Sequence, residues 1–173
     1  LNPLLFLLGE RMRARGAAAL AAAVEAERQD QPYRTTAAGH VIVVGYGRIG
    51  RRAVERLDAI GQTQVIIEDD LDRVEDLRRQ GRDAILGNAV RPVVLNAAGL
   101  DRARHLLVAV PNALVAGEIV STARRLNPPL RIVARAQLDA EVDYLLGRGA
   151  DRVLMGEREV ARLMVRDVEG ALT

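Results

Sequence analysis

The stretch His40-Val41-Ile42-Val43-Val44-Gly45-Tyr46-Gly47-Arg48-Ile49-Gly50 decides the fold of this chain. Four consecutive apolar residues run into a Gly-x-Gly-x-x-Gly turn, and apolar residues at helical spacing follow the turn. A second apolar run then ends in Glu68, 18 residues after Gly50. A strand, a glycine turn, a helix and a second strand that ends in an acid indicate the part of a doubly wound domain that holds adenosine.

Each glycine of the turn has a mechanical reason. Gly45 allows a sharp turn off the strand, Gly47 lets a phosphate approach the backbone, and Gly50 lets the helix pack closely. The helix that starts near Arg48 directs free N–H groups and the positive end of its dipole at the phosphate. Arg48 adds a fixed charge and a planar fork of donors. The alternative interpretation is a tight strand-to-helix turn that holds no ligand.

Composition excludes several classes of function. The 173 residues suffice for one well-filled domain with extra segments, and they include no lysine and no cysteine. The missing lysine excludes a lysine-containing phosphate-binding loop and a Schiff base, and the missing cysteine excludes disulfides, thiol nucleophiles and cysteine-ligated metals. A net charge of +2 and 2% aromatic residues make a nucleic-acid partner a poor fit. No apolar run approaches the roughly 20 residues that cross a bilayer, so we expect the chain as given to be soluble.

The amino-terminal part differs from the rest of the chain. Residues 1–8 are almost wholly apolar, and three arginines follow within residues 11–15. This pattern is typical of a membrane helix that leaves the bilayer on its cytoplasmic side. The alternative is a short hydrophobic helix that packs on its own domain or on a partner. Residues 16–31 indicate a helix, and the polar break at 31–39 predicts a linker, with the compact domain starting at His40.

Strands and helices alternate after that point. We predict strands near residues 41–45, 64–68, 84–86, 105–110, 130–135 and 152–155. We predict helices near residues 48–60, 71–80, 90–98, 113–126, 138–147 and 157–168. This pattern indicates the α/β class and a Rossmann-like, doubly wound parallel sheet of six strands in the order 3-2-1-4-5-6. A ligand crevice is expected where strand 1 meets strand 4.

Polar residues at the carboxyl ends of strands 2 and 3 are the next candidates. Glu68 is expected to accept hydrogen bonds from ribose hydroxyls, and its charge disfavours the 2′-phosphate of NADP. Asp69 lies beside it, whereas Asp70 is better explained as the cap of the following helix. Asn88, followed by Ala89, offers donors and acceptors to an adenine edge, with a helix cap as the alternative.

The second half of the sheet adds fewer candidates. Asn112 is predicted to cap the helix after strand 4 and to have a secondary view of the ligand. Arg135 ends strand 5, where it could hold a second anion or form a salt bridge. His40 and His105 lie at the opposite end of the sheet, which favours structural roles. We find no catalytic carboxylate pair or triad and no metal-ligand spacing in the sequence. The candidate nucleotide-binding residues are Gly45, Tyr46, Gly47, Arg48, Ile49, Gly50, Glu68, Asp69, Asn88, Ala89, Val110, Pro111, Asn112 and Arg135.

These segments resemble a known family. They are HVIVVGYGRIG at 40–50, LGNA at 86–89, VPN at 110–112 with AGEIV at 116–120, IVARA at 132–136 and MGERE at 155–159. They are similar to the TrkA-N, or RCK N-terminal, domain of bacterial potassium channels and transporters, and above all to the C-terminal domain of Kef-type and YbaL-type monovalent cation:proton antiporters. The segment GRGAD at 147–151 points to the YbaL-like branch.

The resemblance also implies a domain organisation. Residues 2–6 resemble the end of these antiporters' last membrane helix, so residues 1–39 would be that end and a cytoplasmic linker. Residues 40–168 would form the TrkA-N/RCK-type domain, and residues 169–173 a C-terminal tail. The antiporter domain would precede them in the same polypeptide, placing this chain on the cytoplasmic face of the bacterial inner membrane.

The resemblance implies a gating module for a potassium (or sodium)/proton antiporter, not an enzyme. Such domains bind AMP or NAD(H), and ATP or ADP in related systems, with no metal; they form homodimers and can respond to glutathione or its adducts. Arg48 and Arg135 fall where arginines could hold such an anion. Asn88 stands where many members have aspartate, which leaves the choice of nucleotide open. The alternatives are an NAD-dependent oxidoreductase and a vestigial dimerisation module with no ligand.

Overall fold

The computed structural model describes residues 33–171 of the chain. The apolar run at 1–8, the predicted helix at 16–31 and the last two residues of the predicted tail lie outside the described residues. The compact unit begins at Tyr33, earlier than the boundary expected at His40. Within the described part, no helix has both the length and the apolar character that crossing a bilayer requires.

The described residues form alternating strands and helices. The strands are β1 (Val41–Val44), β2 (Gln64–Glu68), β3 (Ala84–Leu86), β4 (His105–Val108), β5 (Arg131–Ala136) and β6 (Arg152–Met155). The helices are α1 (Arg48–Ala59), α2 (Leu71–Arg79), α3 (Pro92–Ala97), α4 (Ala113–Leu126), α5 (Asp139–Gly147) and α6 (Gly156–Ala171). The six strands and six helices predicted after residue 40 are therefore all present.

Several element boundaries differ from the prediction by one to three residues, and those of α3 and α6 are examples. Helix α3 begins at Pro92 instead of residue 90, because proline suits the first helical position and disfavours helical backbone in the residue before it. Helix α6 continues to Ala171, so residues 169–171 of the expected C-terminal tail are helical.

The six strands form one parallel sheet in the order β3-β2-β1-β4-β5-β6, which confirms the predicted fold. Strand β1 pairs with β2 on one side and β4 on the other, with Val44 opposite both Ile67 and Val108. Because the chain winds outward in both directions from β1 and β4, the loops at their carboxyl ends diverge and leave a crevice.

Strand β1 is apolar throughout because both of its faces are covered. Ile42 and Val44 belong to the core on one face, and Val41 and Val43 belong to the core on the other. All four are at most 5% exposed. A central strand of a doubly wound sheet has no solvent face, which explains the continuous apolar run.

The segment before β1 is fastened to the amino edge of the sheet. Thr35 is 4% exposed, its backbone N–H donates to Ala97 O at 2.9 Å, and its hydroxyl donates to Asp83. Arg102 Nη2 donates to Thr35 O at 3.0 Å. These bonds make the last residues of the expected linker part of the domain.

Both histidines lie at this amino edge. His40 is fully buried, and its Nε2 lies 2.8 Å from Ala98 O. His105 is exposed at the start of β4. Their positions agree with the structural roles expected for them.

A partly exposed ion pair between Asp151 and Arg124 lies on the far side of the sheet. Asp151 accepts from Ile132 N at 2.6 Å and from Arg124 Nη2 at 2.8 Å. The Ile132 backbone hydrogen bond, followed by the Arg124 contact, lowers the pKa of Asp151 below its usual value. Asp151 lies directly before β6, so these bonds join the start of β6 to β5. Arg135 lies near the carboxyl end of β5.

Candidate functional site

A cavity of about 720 Å³ opens at the carboxyl edge of the sheet, where β1 and β4 meet. Its volume lies within the range of roughly 300–1,000 Å³ that is typical of small-molecule sites. Every predicted site residue lines it except Tyr46 and Gly50. The residues not predicted from the sequence are Val44, Ile67, Arg73, Gly87, Ala109, Val115 and Ile119.

The three glycines of the turn do different things. Gly45 has φ +88°, a conformation that other residues rarely adopt. A Cβ on Gly50 would lie 1.8 Å from Gly45 O, so the fold itself demands glycine there. A Cβ on Gly47 would meet nothing within 4 Å, and its φ of −74° suits any residue. The fold does not need Gly47, whose missing side chain keeps that wall of the cavity open.

Tyr46 does not face the cavity. Its ring packs with Leu57 and Leu107 against the core on the opposite face of the sheet. Its backbone N–H donates to Glu68 Oε2 at 2.7 Å. Tyr46 therefore contributes to the site through its main chain, not its side chain.

Helix α1 points an uncapped amino terminus at the cavity. The residue at the N-cap position, Gly47, has no side chain that could accept a hydrogen bond from the first turn of the helix. That first turn also contains no acidic residue. Helix α2, by contrast, is capped by Asp70, which accepts from Arg73 N at 3.1 Å. Because unsatisfied N–H groups and the helix dipole attract negative charge, the start of α1 suits an anion.

Glu68 connects β2 to the glycine turn. It is 5% exposed, and besides the Tyr46 amide it accepts from Asp69 N at 3.1 Å and Asp70 N at 3.3 Å, both to Oε1. Arg73 Nη1 lies 3.7 Å from Oε2. The carboxylate is thus already held by three backbone N–H groups, whereas the sequence suggested only a ligand for ribose.

Three arginines and two acids line the cavity. Arg48 and Arg135 make no ion pair with any residue between 33 and 171, so the salt bridge considered for Arg135 finds no described partner. Arg73 faces Glu68, and Asp69 is exposed. The two unpaired guanidinium groups give the cavity donors for planar or tetrahedral anions.

The two asparagines fold their side chains onto the local backbone. Asn88 Oδ1 accepts from Val90 N at 2.9 Å, and Asn112 Oδ1 accepts from Leu114 N at 3.0 Å and Val115 N at 3.1 Å. Asn112 caps α4 as predicted. Both amides still line the cavity, and no described residue accepts from either Nδ2.

Arg73 is the charged residue that sequence reasoning missed. It lies in the first turn of α2, five residues after Glu68. That spacing was the available signal, because the first turn of a helix after a parallel strand returns to the same sheet edge. Ile67, Val115 and Ile119 form apolar walls, and their apolar character alone does not distinguish them from core residues.

The profile of the TrkA-N domain family matches residues 41–156. The putative cation/proton antiporter YbaL of Escherichia coli (strain K12) is 42% identical over 173 residues. That alignment covers 98% of this chain and 30% of YbaL, so the chain spans less than a third of that relative.

Two solved structures support the same relationship. The crystal structure of the TrkA-N domain of inner membrane protein YbaL from Escherichia coli has a TM-score of 0.73 and 44% identity, covering 76% of this chain and 98% of that one. A Shewanella denitrificans Kef C-terminal domain in AMP-bound form has a TM-score of 0.61 and 28% identity, covering 77% of this chain and 80% of that one. With the predicted sheet order and glycine turn in place, this chain belongs to the TrkA-N domain family.

Proposed function

We propose that this domain binds an adenine nucleotide and gates ion transport as the regulatory part of a potassium (or sodium)/proton antiporter. The observation that carries the proposal is the uncapped start of α1 at Gly47 and Arg48, which lines the same cavity as Glu68. AMP and NAD(H) are the favoured ligands, and ATP and ADP are further candidates. The AMP-bound Kef domain, 28% identical to this chain, supports the choice of ligand class.

The cavity suggests how the nucleotide lies. The phosphate of the nucleotide binds at the amino terminus of α1, at Gly47 and Arg48, and the ribose donates hydrogen bonds to Glu68. The base lies toward Asn88, whose Nδ2 can donate to a ring nitrogen. Arg135, across the crevice, offers a second cation to the other phosphate of a dinucleotide or to a separate anion such as glutathione.

The character of the cavity lining favours a receptor over an oxidoreductase. The side chains that surround it are aliphatic residues, arginines, asparagines and two acids, and the described lining includes no histidine, tyrosine, serine or threonine. A dehydrogenase needs a proton donor beside the nicotinamide. We therefore propose that the domain reports occupancy and does not transform its ligand.

Regulation requires the ligand to favour one conformation. A ligand shifts an equilibrium only by its difference in affinity for the two states. We propose that the nucleotide bridges the two halves of the sheet and so biases the attached antiporter domain, with this domain on the cytoplasmic face of the inner membrane.

The first prediction concerns nucleotide binding. A ligand that binds only the folded state raises the free energy of unfolding. A nucleotide at about 100 times its dissociation constant should raise it by roughly 2.7 kcal/mol. Thermal denaturation of the 173-residue chain with AMP, ADP, ATP or NADH measures this. We expect AMP or NADH to raise Tm, and failure of all four would contradict nucleotide sensing.

The second prediction separates the ligand role of Gly47 from folding. Gly47→Ala adds a methyl group with no protein neighbour, so we expect a loss of stability of no more than about 1 kcal/mol. The methyl group occupies the phosphate position, so AMP affinity in calorimetry should fall at least about tenfold, the effect of roughly 1.4 kcal/mol.

Gly147→Ala is the matched control for this prediction. Its added Cβ also meets nothing within 4 Å, but it lies at the end of α5 and away from the cavity lining. We expect unchanged AMP affinity for Gly147→Ala. Equal affinity in Gly47→Ala and the wild type would show that no phosphate contacts the turn.

We also propose that the domain is a homodimer through α6. The large apolar side chains of this helix are 56–67% exposed, and they belong to Val160, Leu163, Met164, Val165 and Val168. A contiguous apolar surface of this kind on a single chain is typical of an interface. Because every copy presents the same stripe, two copies can pair symmetrically and cover it.

The third prediction tests this interface. Met164→Glu places a charge in the centre of the stripe, so it should shift the chain from dimer to monomer in light scattering at micromolar concentration. Arg166→Ala changes a side chain about half a turn further round the helix and should leave the dimer intact. A monomeric wild type, or a Met164→Glu variant that dimerises equally well, would rule out this interface.

A further inference from the structure

Arg73 and Glu68 face each other across a gap at the edge of the cavity. Arg73 Nη1 lies 3.7 Å from Glu68 Oε2, and Arg73 Nε lies 3.7 Å from Asp70 Oδ2. Both separations exceed the 2.7–3.2 Å of a well-formed N–H···O hydrogen bond. The guanidinium is therefore held near the carboxylate by charge, without a close hydrogen bond between them.

The remaining acceptor capacity of Glu68 is on the oxygen that Arg73 faces. Oε1 accepts from two backbone N–H groups, those of Asp69 and Asp70, and Oε2 accepts from one, that of Tyr46. Since each carboxylate oxygen offers about two acceptor positions, Oε2 has one left. A ligand group that donates to Glu68 must use this oxygen, and it then lies within reach of Arg73.

The chemistry of the pair selects what fits between them. An ionised carboxylate only accepts hydrogen bonds, and a guanidinium only donates them. A group that satisfies both must accept from Arg73 and donate to Glu68. A hydroxyl does this, whereas a fully ionised phosphate has no proton to donate and a methylene group can do neither.

Arg73 also differs from the other two arginines of the cavity. Arg48 and Arg135 have no ion pair among the described residues, so their full charge is available to phosphates. Arg73 already lies beside two carboxylates, Glu68 and Asp70, which offset its charge. Its position suits recognition of a neutral polar group better than anchoring of an anion.

We propose that Arg73 and Glu68 together bind one ribose hydroxyl, so that Arg73 determines the preference of the site for ribonucleotides over deoxyribonucleotides. This inference rests on the proposed nucleotide function and identifies the part of the ligand that Arg73 reads. A site built around a hydroxyl discriminates strongly against an analogue without one, because its polar groups are then left unpaired.

Calorimetry of the 173-residue chain with AMP, 2′-deoxy-AMP and 3′-deoxy-AMP tests the proposal. We expect the wild type to bind at least one deoxy analogue about tenfold or more weakly than AMP, as loss of a hydrogen bond to charged groups predicts. In Arg73→Ala this ratio should fall to about threefold or less, because half of the recognition pair is gone.

Arg79→Ala is the matched control. Arg79 is on the same helix, is 74% exposed, pairs with Asp76 and lies outside the cavity lining. Its removal should leave the AMP to deoxy-AMP ratio at the wild-type value. The backbone N–H of residue 73 still reaches Asp70 in Arg73→Ala, so the cap of α2 is retained.

The outcomes separate the two proposals. Equal wild-type affinity for all three nucleotides, or an Arg73→Ala variant that keeps the full wild-type ratio, would overturn the role of Arg73 while leaving AMP binding in place. No binding of AMP to the wild type would overturn the proposed function and this inference together.

Discussion

The hydrogen bond from the Tyr46 backbone N–H to the Glu68 carboxylate is the contact on which the site depends. It joins the end of β2 to the glycine turn after β1, so it fixes the start of α1 relative to the neighbouring strand. Glu68 is 5% exposed, and two further backbone N–H groups hold its other oxygen. A buried carboxylate of this kind is stabilised only by such donors, which makes the turn and the acid one structural unit.

That unit contains hydrogen-bonding groups that no described residue uses. Helix α1 starts without a capping side chain, Gly47 leaves open space beside it, and one acceptor position of Glu68 faces Arg73. Donors for an anion and a donor–acceptor pair for a hydroxyl lie on the same side of one cavity. A phosphorylated ribose combines both groups in a single molecule, so the arrangement suits a nucleotide better than either a simple anion or a sugar.

The fold and most of the cavity lining follow from apolar periodicity together with the glycine turn at 45–50. Buried parallel strands are short apolar runs whose carboxyl ends must meet at one sheet edge. Asn88 and Arg135 follow such runs, and both line the cavity. Side-chain direction and competing contacts do not follow from the pattern. The ring of Tyr46 packs on the opposite face of the sheet, and Glu68 accepts hydrogen bonds from the neighbouring backbone. Arg73 lines the cavity although its position on a charged helix surface predicts only exposure to solvent. The contacts of Thr35 were missed because a polar break resembles a linker when its partners are distant in sequence.

We propose that the joined turn and acid form the receptor for an adenine nucleotide. Backbone amide resonances recorded during an AMP titration test it most directly, because they report the contact at each residue. We expect the largest shifts at Gly47, Arg48 and Asp69, with little change at Gly39 and Arg104 on the opposite sheet edge. Shifts confined to that opposite edge, or no shifts at the turn when AMP is saturating, would contradict it.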